Sequence, residues 1–369
     1  MINEAIRIGL TAKPRSRYQL RNLIYYDFKR RYGLHSQYTY SACEVAFSII
    51  RKYRKWGRRP YARRLILKIQ SESYWLKRML LRIPARPHEY LFVQLHGGEY
   101  QFAMLDDPML KRGSLVITPD RVIVTVSKQA QEMESHGSVA YDINLRNVTG
   151  ISTVSPEPVI HDTSRALQIR ARYRKVVSGF RRNDDRIRRK ISSKYGTKET
   201  NKIGSMLHRI SRQVVVHAKK NGLSIALENL KYIRRHHTKH RRETRRTRGN
   251  LNYWPFRLLQ NMIQYKARWE GVQVKYINPS GSSKRCSVCT NMNYELALEK
   301  VWRCPKCGAT LNRDTNAAIN LLEKSLDGNE ALGFGVDWLA DEAVKREVLS
   351  RTSVESMPVS RAQAGRIVA

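Results

Sequence analysis

Residues 286–320 read CSVCTNMNYELALEKVWRCPKCGATLNRDTNAAIN, and the rest of the chain can be interpreted around them. Four cysteines form two C-x-x-C pairs, Cys286 with Cys289 and Cys304 with Cys307, and 14 residues separate the pairs. Two such pairs at a spacing of roughly 15–20 residues are typical of a tetrahedral Cys₄ zinc site, and the gap here is one residue short of that range. Gly308 follows the second pair and suits its tight turn. The pattern predicts one structural Zn²⁺.

Two disulfides are the alternative interpretation of the same cysteines. We expect it to be the weaker one, because the basic chain shows no signal-peptide pattern at its start and a reducing compartment disfavours disulfides. Asp314 stands seven residues after Cys307, at the start of an apparent helix over residues 316–322. A carboxylate beside a predicted zinc module suggests an acidic site, whose other carboxylates would lie earlier in the sequence.

The charge of the chain predicts a polyanionic partner. Its 369 residues carry 69 Lys and Arg against 31 Asp and Glu, a net charge of +38, which is typical of proteins that bind nucleic acid. A membrane surface is the rival polyanion, but no apolar run reaches the roughly 18–20 residues of a spanning helix. The hydrophobic fraction of 41% predicts a folded protein with two or three domains.

The sequence pattern of the first third of the chain changes once, from helical to β-like. Residues 1–60 are basic and predicted to be helical, with Cys43 in the core and exposed cations near residues 51–55. Residues 61–137 are predicted to form a small barrel or sandwich, because short β-like runs alternate with turn residues. These runs are residues 65–69, 74–76, 90–94, 101–105, 115–118 and 122–126.

The middle of the chain is predicted to hold two arginine-rich helices, within residues 163–221 and broken near Tyr195 and Gly196. The first helix carries arginines from Arg165 to Arg189. We expect them to face phosphate, with a merely solvated face as the alternative. Residues 231–250 form the most basic window and are expected to be a mobile loop without ligand, whose histidines are solvated or contact phosphate. Residues 326–369 lose the basic character and are predicted to be a flexible tail, dispensable for chemistry.

Three carboxylates fall at junctions between predicted elements. Asp142 lies within or after a strand, Glu228 ends the apolar strand of residues 223–230, and Asp314 begins a helix. A glutamate at the end of an apolar strand is costly to bury unless it is paired or metal-bound. The order strand–Asp, helices, strand–Glu, helix, strand, knuckle, Asp–helix is that of a ribonuclease-H-like α/β fold. Two Mg²⁺ ions roughly 3.5–4 Å apart among such carboxylates would serve phosphodiester hydrolysis.

The chain also resembles the TnpB (OrfB) family of transposon-encoded RNA-guided DNA endonucleases, which are related to type V CRISPR effectors. Four motifs carry the resemblance: AYDINLRN from Ala140, IALENL from Ile225, SSKRCSVC from Ser282, and CPKCG followed by NRDTNAAIN. The family usually has Asp where Asn312 stands. That position is outside the catalytic trio, so no loss of activity is expected.

The resemblance implies a domain layout. Residues 1–60 would be a helical recognition region and residues 61–137 a barrel-like wedge domain that binds the guide RNA scaffold. A RuvC nuclease domain would comprise residues 138–280 and 311–325, with the zinc ribbon inserted at residues 281–310. Asp142, Glu228 and Asp314 would be catalytic and bind Mg²⁺, while the four cysteines bind Zn²⁺.

The sequence thus predicts an RNA-guided, Mg²⁺-dependent DNA endonuclease. Its partners would be a guide RNA and a double-stranded DNA target with a short flanking motif. Such a protein is expected in a prokaryotic cytoplasm, associated with the nucleoid, and not in a membrane. Two alternatives remain: a guided DNA-binding repressor that does not cleave, and a protein-only transposase or resolvase.

Overall fold

The protein is described here by a computed structural model that covers residues 1–56, 60–230, 254–296, 299–326 and 337–355. Helices and strands are numbered along these residues. The chain divides into two compact units, Met1–Gln129 and Ala130–Ala369. The predicted regions 1–60 and 61–137 therefore share one unit up to Gln129. Among the described helices, none is both long and apolar enough to cross a membrane.

The first unit begins with three helices, α1 (Ile2–Ala12), α2 (Arg17–Tyr32) and α3 (Gln37–Trp56). Ser16 begins α2 as its N-cap, since its side chain accepts a hydrogen bond from the Gln19 amide. Residues three and four apart on the helices, such as Leu20, Ile24 and Phe28, meet in one buried cluster. Cys43 lies in this cluster as predicted, and burial raises the pKa of its thiol to about 11.

The β-rich part of the first unit forms two three-stranded antiparallel sheets. One has the order β1-β5-β6 and the other β2-β3-β4. No described strand of one sheet pairs with a strand of the other, so a closed barrel is not confirmed. The strands are β1 (Leu67–Ile69), β2 (Trp75–Lys77), β3 (Leu80–Arg86), β4 (Glu89–Gln94), β5 (Lys111–Ile117) and β6 (Val122–Ser127).

One of the predicted strands in this region is wrong. Residues 101–105 belong to helix α4 (Glu99–Asp106), not to a strand. The side chain of Gln101 accepts a hydrogen bond from the Gly98 amide at 3.0 Å, which stabilises the first turn of the helix. In so short a segment, the apolar residues fit both the period of a helix and that of a strand. The local hydrogen bond favours the helix.

A five-stranded mixed sheet is the centre of the second unit. Its order is β11-β10-β7-β8-β9. Strands β7, β10 and β11 are parallel to one another, β8 pairs antiparallel with β7, and β9 pairs antiparallel with β8. Every residue of β7 and β10 is buried, as expected of central strands covered on both faces. The strands are β7 (Gly137–Ile143), β8 (Asn147–Ser152), β9 (Ser155–Asp162), β10 (Leu223–Glu228) and β11 (Val274–Ile277).

Three helices belong to this unit before the cysteines: α5 (Ser164–Gly179), α6 (Asp185–Lys220) and α7 (Phe256–Glu270). Apolar residues of α6 and α7 pack on the face of the sheet to which Val139, Tyr141 and Ile143 point. The predicted helix break near Tyr195 and Gly196 is wrong, because both residues lie inside α6. The break comes earlier, where the Asp184 side chain accepts a hydrogen bond from the Arg186 amide and caps α6.

The opposite face of the sheet is covered by the C-terminal part of the chain. Ala140 and Ala226 point to this face and share a buried cluster with the cysteines. The elements here are β12 (Val301–Arg303), β13 (Thr310–Asn312), α8 (Arg313–Leu326), α9 (Asp337–Ala340) and α10 (Glu342–Glu355). Helix α8 lies against β7 and β8. The α/β class predicted from the sequence is confirmed.

The prediction of a flexible tail over residues 326–369 is wrong for α9 and α10. Leu339 and Leu349 are buried in the same cluster as the cysteines, and the Trp338 indole donates to the Thr153 carbonyl at 3.0 Å. These contacts cross the unit and could not be read from local periodicity. Residues 327–336 and 356–369 lie outside the described part of the chain.

The close approach of β8 to β7 gives a test of the fold. A methyl group at Gly150 would stand 2.3 Å from Cε1 of the fully buried Tyr141, whereas one at Gly204 on α6 meets no atom within 4 Å. We expect Gly150→Ala to lower the free energy of unfolding by about 1–3 kcal/mol. Gly204→Ala should raise it by about 0.5–1 kcal/mol.

Urea unfolding of both variants beside the parent protein measures the difference. A Gly150→Ala protein as stable as the Gly204→Ala protein would contradict the packing of Tyr141 under β8.

Candidate active site and cysteine cluster

Two of the predicted carboxylates lie side by side at the end of the central sheet. Strands β7 and β10 are parallel, and Leu227 pairs with Tyr141, so the next residues, Glu228 and Asp142, are neighbours. Side chains alternate between the faces of a strand, which places both carboxylates on the face covered by α8. Asp142 is 5% exposed and Glu228 6% exposed. A side-chain hydrogen bond joins the two groups.

The third carboxylate is brought to the same place by the start of α8. Asn312 is the N-cap of this helix, because its Oδ1 accepts hydrogen bonds from the Asp314 and Thr315 amides at 3.0 and 3.1 Å. Asp314 thus stands in the first turn, where the helix N-terminus favours a negative charge. The structure therefore brings together Asp142, Glu228 and Asp314, as the sequence predicts.

Two asparagine amides connect the carboxylates. Nδ2 of Asn144 donates to Oδ2 of Asp142 at 2.5 Å and to Oδ1 of Asp314 at 3.1 Å. Nδ2 of Asn147 donates to the other oxygen of Asp314 at 2.7 Å. Both asparagines lie in the AYDINLRN motif, and sequence reasoning assigned a role only to the aspartate. Their position two and five residues after a strand aspartate is the signal that could have found them.

Burial and mutual repulsion favour the protonated forms of the two buried acids. Burial, followed by the charge of Asp314, raises the pKa of Asp142 to about 7, although hydrogen bonds from Asn144 and Glu228 act in the opposite direction. Burial and the charge of Asp142 raise the pKa of Glu228 well above its ordinary value.

An arrangement of this kind has the chemistry of a divalent-cation site. Three carboxylates whose charges repel one another are stabilised by a hard cation, and carboxylate and amide oxygens are the ligands that Mg²⁺ prefers. The side chain of Gln260 on α7 supports the end of β10, because its Nε2 donates to the Glu228 carbonyl at 2.6 Å. The donor groups present are therefore of the types that suit Mg²⁺.

The four cysteines of the two C-x-x-C pairs also converge. Their sulfur atoms all lie within 4.8 Å of one another. The closest approaches, Cys289 to Cys304 at 3.6 Å and Cys286 to Cys307 at 3.8 Å, are far longer than the roughly 2.05 Å of a disulfide. Gly308 has the positive φ of 69° that its turn requires. The cluster is compatible with a structural zinc ion.

The thiols lie in an environment that prepares one of them for deprotonation. Burial acts to raise the pKa of Cys304, but backbone amides of Cys307 and Lys306 and the neighbouring thiols outweigh it and lower that pKa to about 7. Burial raises the pKa of Cys286 above its ordinary value. A zinc ion takes thiolates, so an S₄ donor set of this shape fits it.

Two buried asparagines attach α8 to the first cysteine pair. Nδ2 of Asn316 donates to the Arg285 carbonyl at 2.8 Å, and its Oδ1 accepts from the Ser287 amide at 2.9 Å. Nδ2 of Asn320, one turn later, donates to the carbonyls of Ser282 and Arg285, both at 2.8 Å. The cysteine module and the helix that carries Asp314 are therefore fixed to each other.

Helix α10 holds both parts from outside. Nζ of Lys345 lies 2.7 Å from a carboxylate oxygen of Glu323 on α8 and donates to the Ser287 carbonyl at 3.1 Å. The other oxygen of Glu323 pairs with Arg285 at 2.9 Å. Nη1 of Arg346 donates to the Cys307 carbonyl at 3.1 Å. The helix predicted to be dispensable thus contacts both cysteine pairs.

The predicted phosphate-facing cations are on the surface. Arg51 and Lys52 are exposed, and the side chains of residues 54–59 lie outside the described set. On α5 and α6, a groove of about 480 Å³ is lined by four cations and the ring of Tyr173. The cations are Arg165, Arg172, Lys202 and Arg209. Residues 231–250, including His236, His237 and His240, fall among the residues that the structure does not describe.

Comparisons with known proteins agree with this picture. Residues 256–321 match the family described as Cas12f1-like, TNB domain. The TnpB-like protein MJ0751 of Methanocaldococcus jannaschii is 28% identical over 260 residues, which are 67% of this chain and 91% of that protein. The CRISPR-associated endodeoxyribonuclease Cas12f2 of a Micrarchaeota archaeon is 30% identical over 132 residues, 34% of this chain and 24% of its own length.

A solved structure shows the fold. The Cas12f1 chain in the cryo-EM structure of a Cas12f1–sgRNA–target DNA complex aligns with 87% of this chain and 79% of its own, with a TM-score of 0.57 and 14% sequence identity. The sequence matches extend over both the sheet and the cysteine module, where the carboxylates and thiols converge. The chain is thus similar over two thirds of its length to a TnpB-like protein, and over shorter segments to type V CRISPR effectors.

Proposed function

We propose that this protein is an RNA-guided, Mg²⁺-dependent DNA endonuclease of a transposon. The observation that carries the proposal is the convergence of Asp142, Glu228 and Asp314 from two strand ends and a helix start. Relatives named as endodeoxyribonucleases support the reaction type. The trio would be the catalytic residues, and the reaction would be hydrolysis of a phosphodiester bond.

The residues of the chain have separate tasks in this proposal. Asp142, Glu228 and Asp314 would hold Mg²⁺. The amides of Asn144 and Asn147 contact one oxygen of Asp142 and both oxygens of Asp314, and they leave the negative charge of these groups available. Bound Mg²⁺ would lower the pKa of a water molecule and stabilise charge on the reacting phosphate. Asn144 and Asn147 keep Asp142 and Asp314 in place without neutralising them. Gln260 fixes the strand end that carries Glu228.

Nucleic acids are the proposed partners. The solved relative is a complex with a guide RNA and target DNA, and the exposed cations on α5 and α6 suit a phosphate backbone. Base pairing with the guide would read the target, while the protein reads a short flanking motif. Within this proposal, residues 1–60 act as recognition region and residues 61–137 as wedge domain, and the protein works on DNA in a prokaryotic cytoplasm.

Two other functions fit less well. A guided repressor that does not cleave has no need of three converging carboxylates, two of them buried at a cost in free energy. A protein-only transposase or resolvase does not account for the first unit of 129 residues with its two sheets. Sequencing of RNA that copurifies with the protein separates the guided functions from the protein-only one.

The four cysteines are proposed to bind one structural Zn²⁺. Four thiols within 4.8 Å of one another match a tetrahedral S₄ site. The role of the site would be to hold the cysteine module rigid, since α8 is attached to it through Asn316 and Asn320.

Substitution of each carboxylate tests the catalytic role. Asp142→Ala, Glu228→Ala and Asp314→Ala should each lower the cleavage rate by about 10³-fold or more, because the three groups act as one unit. Binding of guide and target should be unchanged or slightly tighter, since a negative charge near the DNA is removed. The measurement is cleavage of a plasmid with a guide-matched target, beside a binding assay on the same duplex.

Glu157→Ala is the matched control, because Glu157 is an exposed carboxylate on β9 of the same sheet. It should cleave like the parent protein. Full cutting by the Glu228→Ala protein, or by the parent protein in excess EDTA, would refute the catalytic assignment.

The raised pKa of Asp142 predicts how stability depends on pH. An acid whose pKa is raised by folding stabilises the folded state below its unfolded pKa, and this stabilisation is lost as the pH rises through about 7. Without Mg²⁺, the protein should therefore lose stability from about pH 4 to about pH 7, by up to about 1.4 kcal/mol per pH unit for each proton that only the folded state retains, and the dependence should level off at higher pH. Added Mg²⁺ should reduce the loss.

Thermal unfolding in zinc-containing, Mg²⁺-free buffer measures this dependence. Asp142→Asn cannot ionise at this position and should show a smaller loss. Asp120→Asn is the control, because Asp120 is exposed and its pKa is lowered by its hydrogen bond with Arg121. Equal slopes for the parent protein and Asp142→Asn would contradict the raised pKa.

Elemental analysis tests the zinc site. We expect about one zinc per chain in metal-replete protein, and loss of most of it in Cys304→Ala, because three thiolates hold the ion less firmly. Cys43→Ala removes the buried cysteine of the helical core and should keep its zinc. Absence of zinc from the parent protein, or equal loss in both variants, would refute the site.

A further inference from the structure

A pocket in the first unit has the composition of a nucleobase site. It measures about 510 Å³ and lies between α2, α3 and the turn at Ser71–Ser73. That volume is within the range of about 300–1,000 Å³ found for small-molecule sites. Its lining includes Arg17, Tyr18 and Arg21 of α2 and Tyr40 of α3, and the other lining residues are mostly polar.

The wall of the pocket is a stack of rings and guanidinium groups. The guanidinium carbon of Arg21 lies 5.7 Å from the ring centre of Tyr18 and 5.0 Å from that of Tyr40. Asn22 orients this guanidinium by accepting hydrogen bonds from Nε and Nη2 at 3.3 and 3.1 Å. The Tyr18 and Tyr40 side chains are 55% and 42% exposed. Planar, partly exposed and cationic surfaces of this kind stack with unpaired bases.

A buried donor without a partner lines the same pocket. Gln37 is 6% exposed, and its Oε1 accepts from the Gln70 amide at 3.2 Å, which fixes the side chain. Within the described part of the chain, its Nε2 donates no hydrogen bond. Leaving a buried donor unpaired costs free energy, and an acceptor on a ligand would recover it. Ring nitrogens and carbonyl oxygens on base edges are such acceptors.

The polar side of the pocket disfavours a phosphate group as the occupant. Glu44 and Glu72 both line it, and their carboxylates repel an anion that enters deeply. Arg17, 3.7 Å from Glu44, and Lys68, 2.7 Å from the same carboxylate, hold Glu44 in place. A neutral, planar base can accept from Gln37 while its own amino group donates to a carboxylate.

We propose that this pocket binds a single unpaired nucleobase, stacked on the Tyr18–Arg21–Tyr40 wall and hydrogen-bonded by Gln37. The base can come from an RNA strand or from single-stranded DNA, because both present the same ring and edge. A base within a duplex is already stacked and paired, so it does not enter. The site is distinct from the carboxylates and does not depend on cleavage.

The experiment uses the full-length chain, freed of bound nucleic acid and kept without Mg²⁺. The probe is a short oligouridine strand that carries one 2-aminopurine, whose fluorescence is quenched on stacking. A strand of equal length with an abasic residue at that position measures the contribution of phosphates alone. The parent protein should quench the probe and bind it more tightly than the abasic strand.

Tyr40→Ala should weaken binding of the probe by about 5- to 150-fold, the range for loss of one stacked base, and leave the abasic strand unaffected. Tyr40→Phe should bind like the parent protein, since the ring and not the hydroxyl stacks. Tyr100→Ala is the matched control, because Tyr100 is 70% exposed in the same unit and does not line the pocket.

Gln37→Glu keeps the acceptor for the Gln70 amide but removes the unpaired donor. It should reduce the preference for the probe over the abasic strand, and it should lower the melting temperature because a carboxylate is costly to bury at this position. The probe is also prepared as RNA and as DNA strands of the same sequence. The strand that binds more tightly identifies the source of the base. Equal binding of probe and abasic strand, equal losses in Tyr40→Ala and Tyr100→Ala, or equal quenching of a duplex would overturn the proposal.

Discussion

The attachment of α8 to the first cysteine pair is the contact on which the candidate site depends. Asn316 and Asn320 are four residues apart, so they lie on one face of the helix and reach the same short segment of backbone, Ser282 to Ser287. A side-chain amide both donates and accepts, and Asn316 uses both groups here. Because Asn312 caps the same helix, the asparagines of the NRDTNAAIN motif fix the start of α8 in space. Asp314 has little freedom left, and its distance from Asp142 and Asn144 follows from this attachment.

Helix α10 extends the same constraint to the end of the described chain. Lys345 is almost fully buried and forms an ion pair with one carboxylate oxygen of Glu323. The other oxygen of Glu323 forms an ion pair with Arg285. Removing one partner of a buried ion pair costs about 3–5 kcal/mol, since an uncompensated charge is left behind. Nδ2 of Asn312 donates to the Thr352 carbonyl at 3.0 Å, a bond that an aspartate at this position could not make. Asn312 stands where the resemblance to TnpB leads us to expect Asp, and its side-chain amide therefore matches the C-terminal helix of this chain.

Sequence reasoning found the three carboxylates and the four clustered cysteines, but few of the residues that position them. Cys286 and Glu228 stand out because their spacing or their burial in an apolar strand is unusual. Asn144 and Asn147 do not stand out, because asparagine is common in turns. Asp314, which accepts a hydrogen bond from Asn144, lies 170 residues away in the sequence. The strand predicted at residues 101–105 and the break predicted at Gly196 failed for another reason. Both relied on local preferences of about 1 kcal/mol or less, and other local hydrogen bonds outweigh them: the bond between Gln101 and the Gly98 amide in α4, and the Asp184 cap that sets the start of α6.

Side-chain amides contact the carboxylates of Asp142 and Asp314. This contact matters for the proposed function, in which one protein would both bind and cut nucleic acid. Arginine in the place of Asn144 would satisfy Asp142 and Asp314 as hydrogen-bond acceptors, but it would also neutralise them permanently. An amide orients the oxygens and leaves their charge available to a divalent cation. Meanwhile the cations of α5, such as Arg165 and Arg172, are exposed and face a groove on the surface. In the proposed function, positive charge at the surface would hold the nucleic acid, and negative charge at the buried strand ends would be kept for the metal ions and the reacting phosphate.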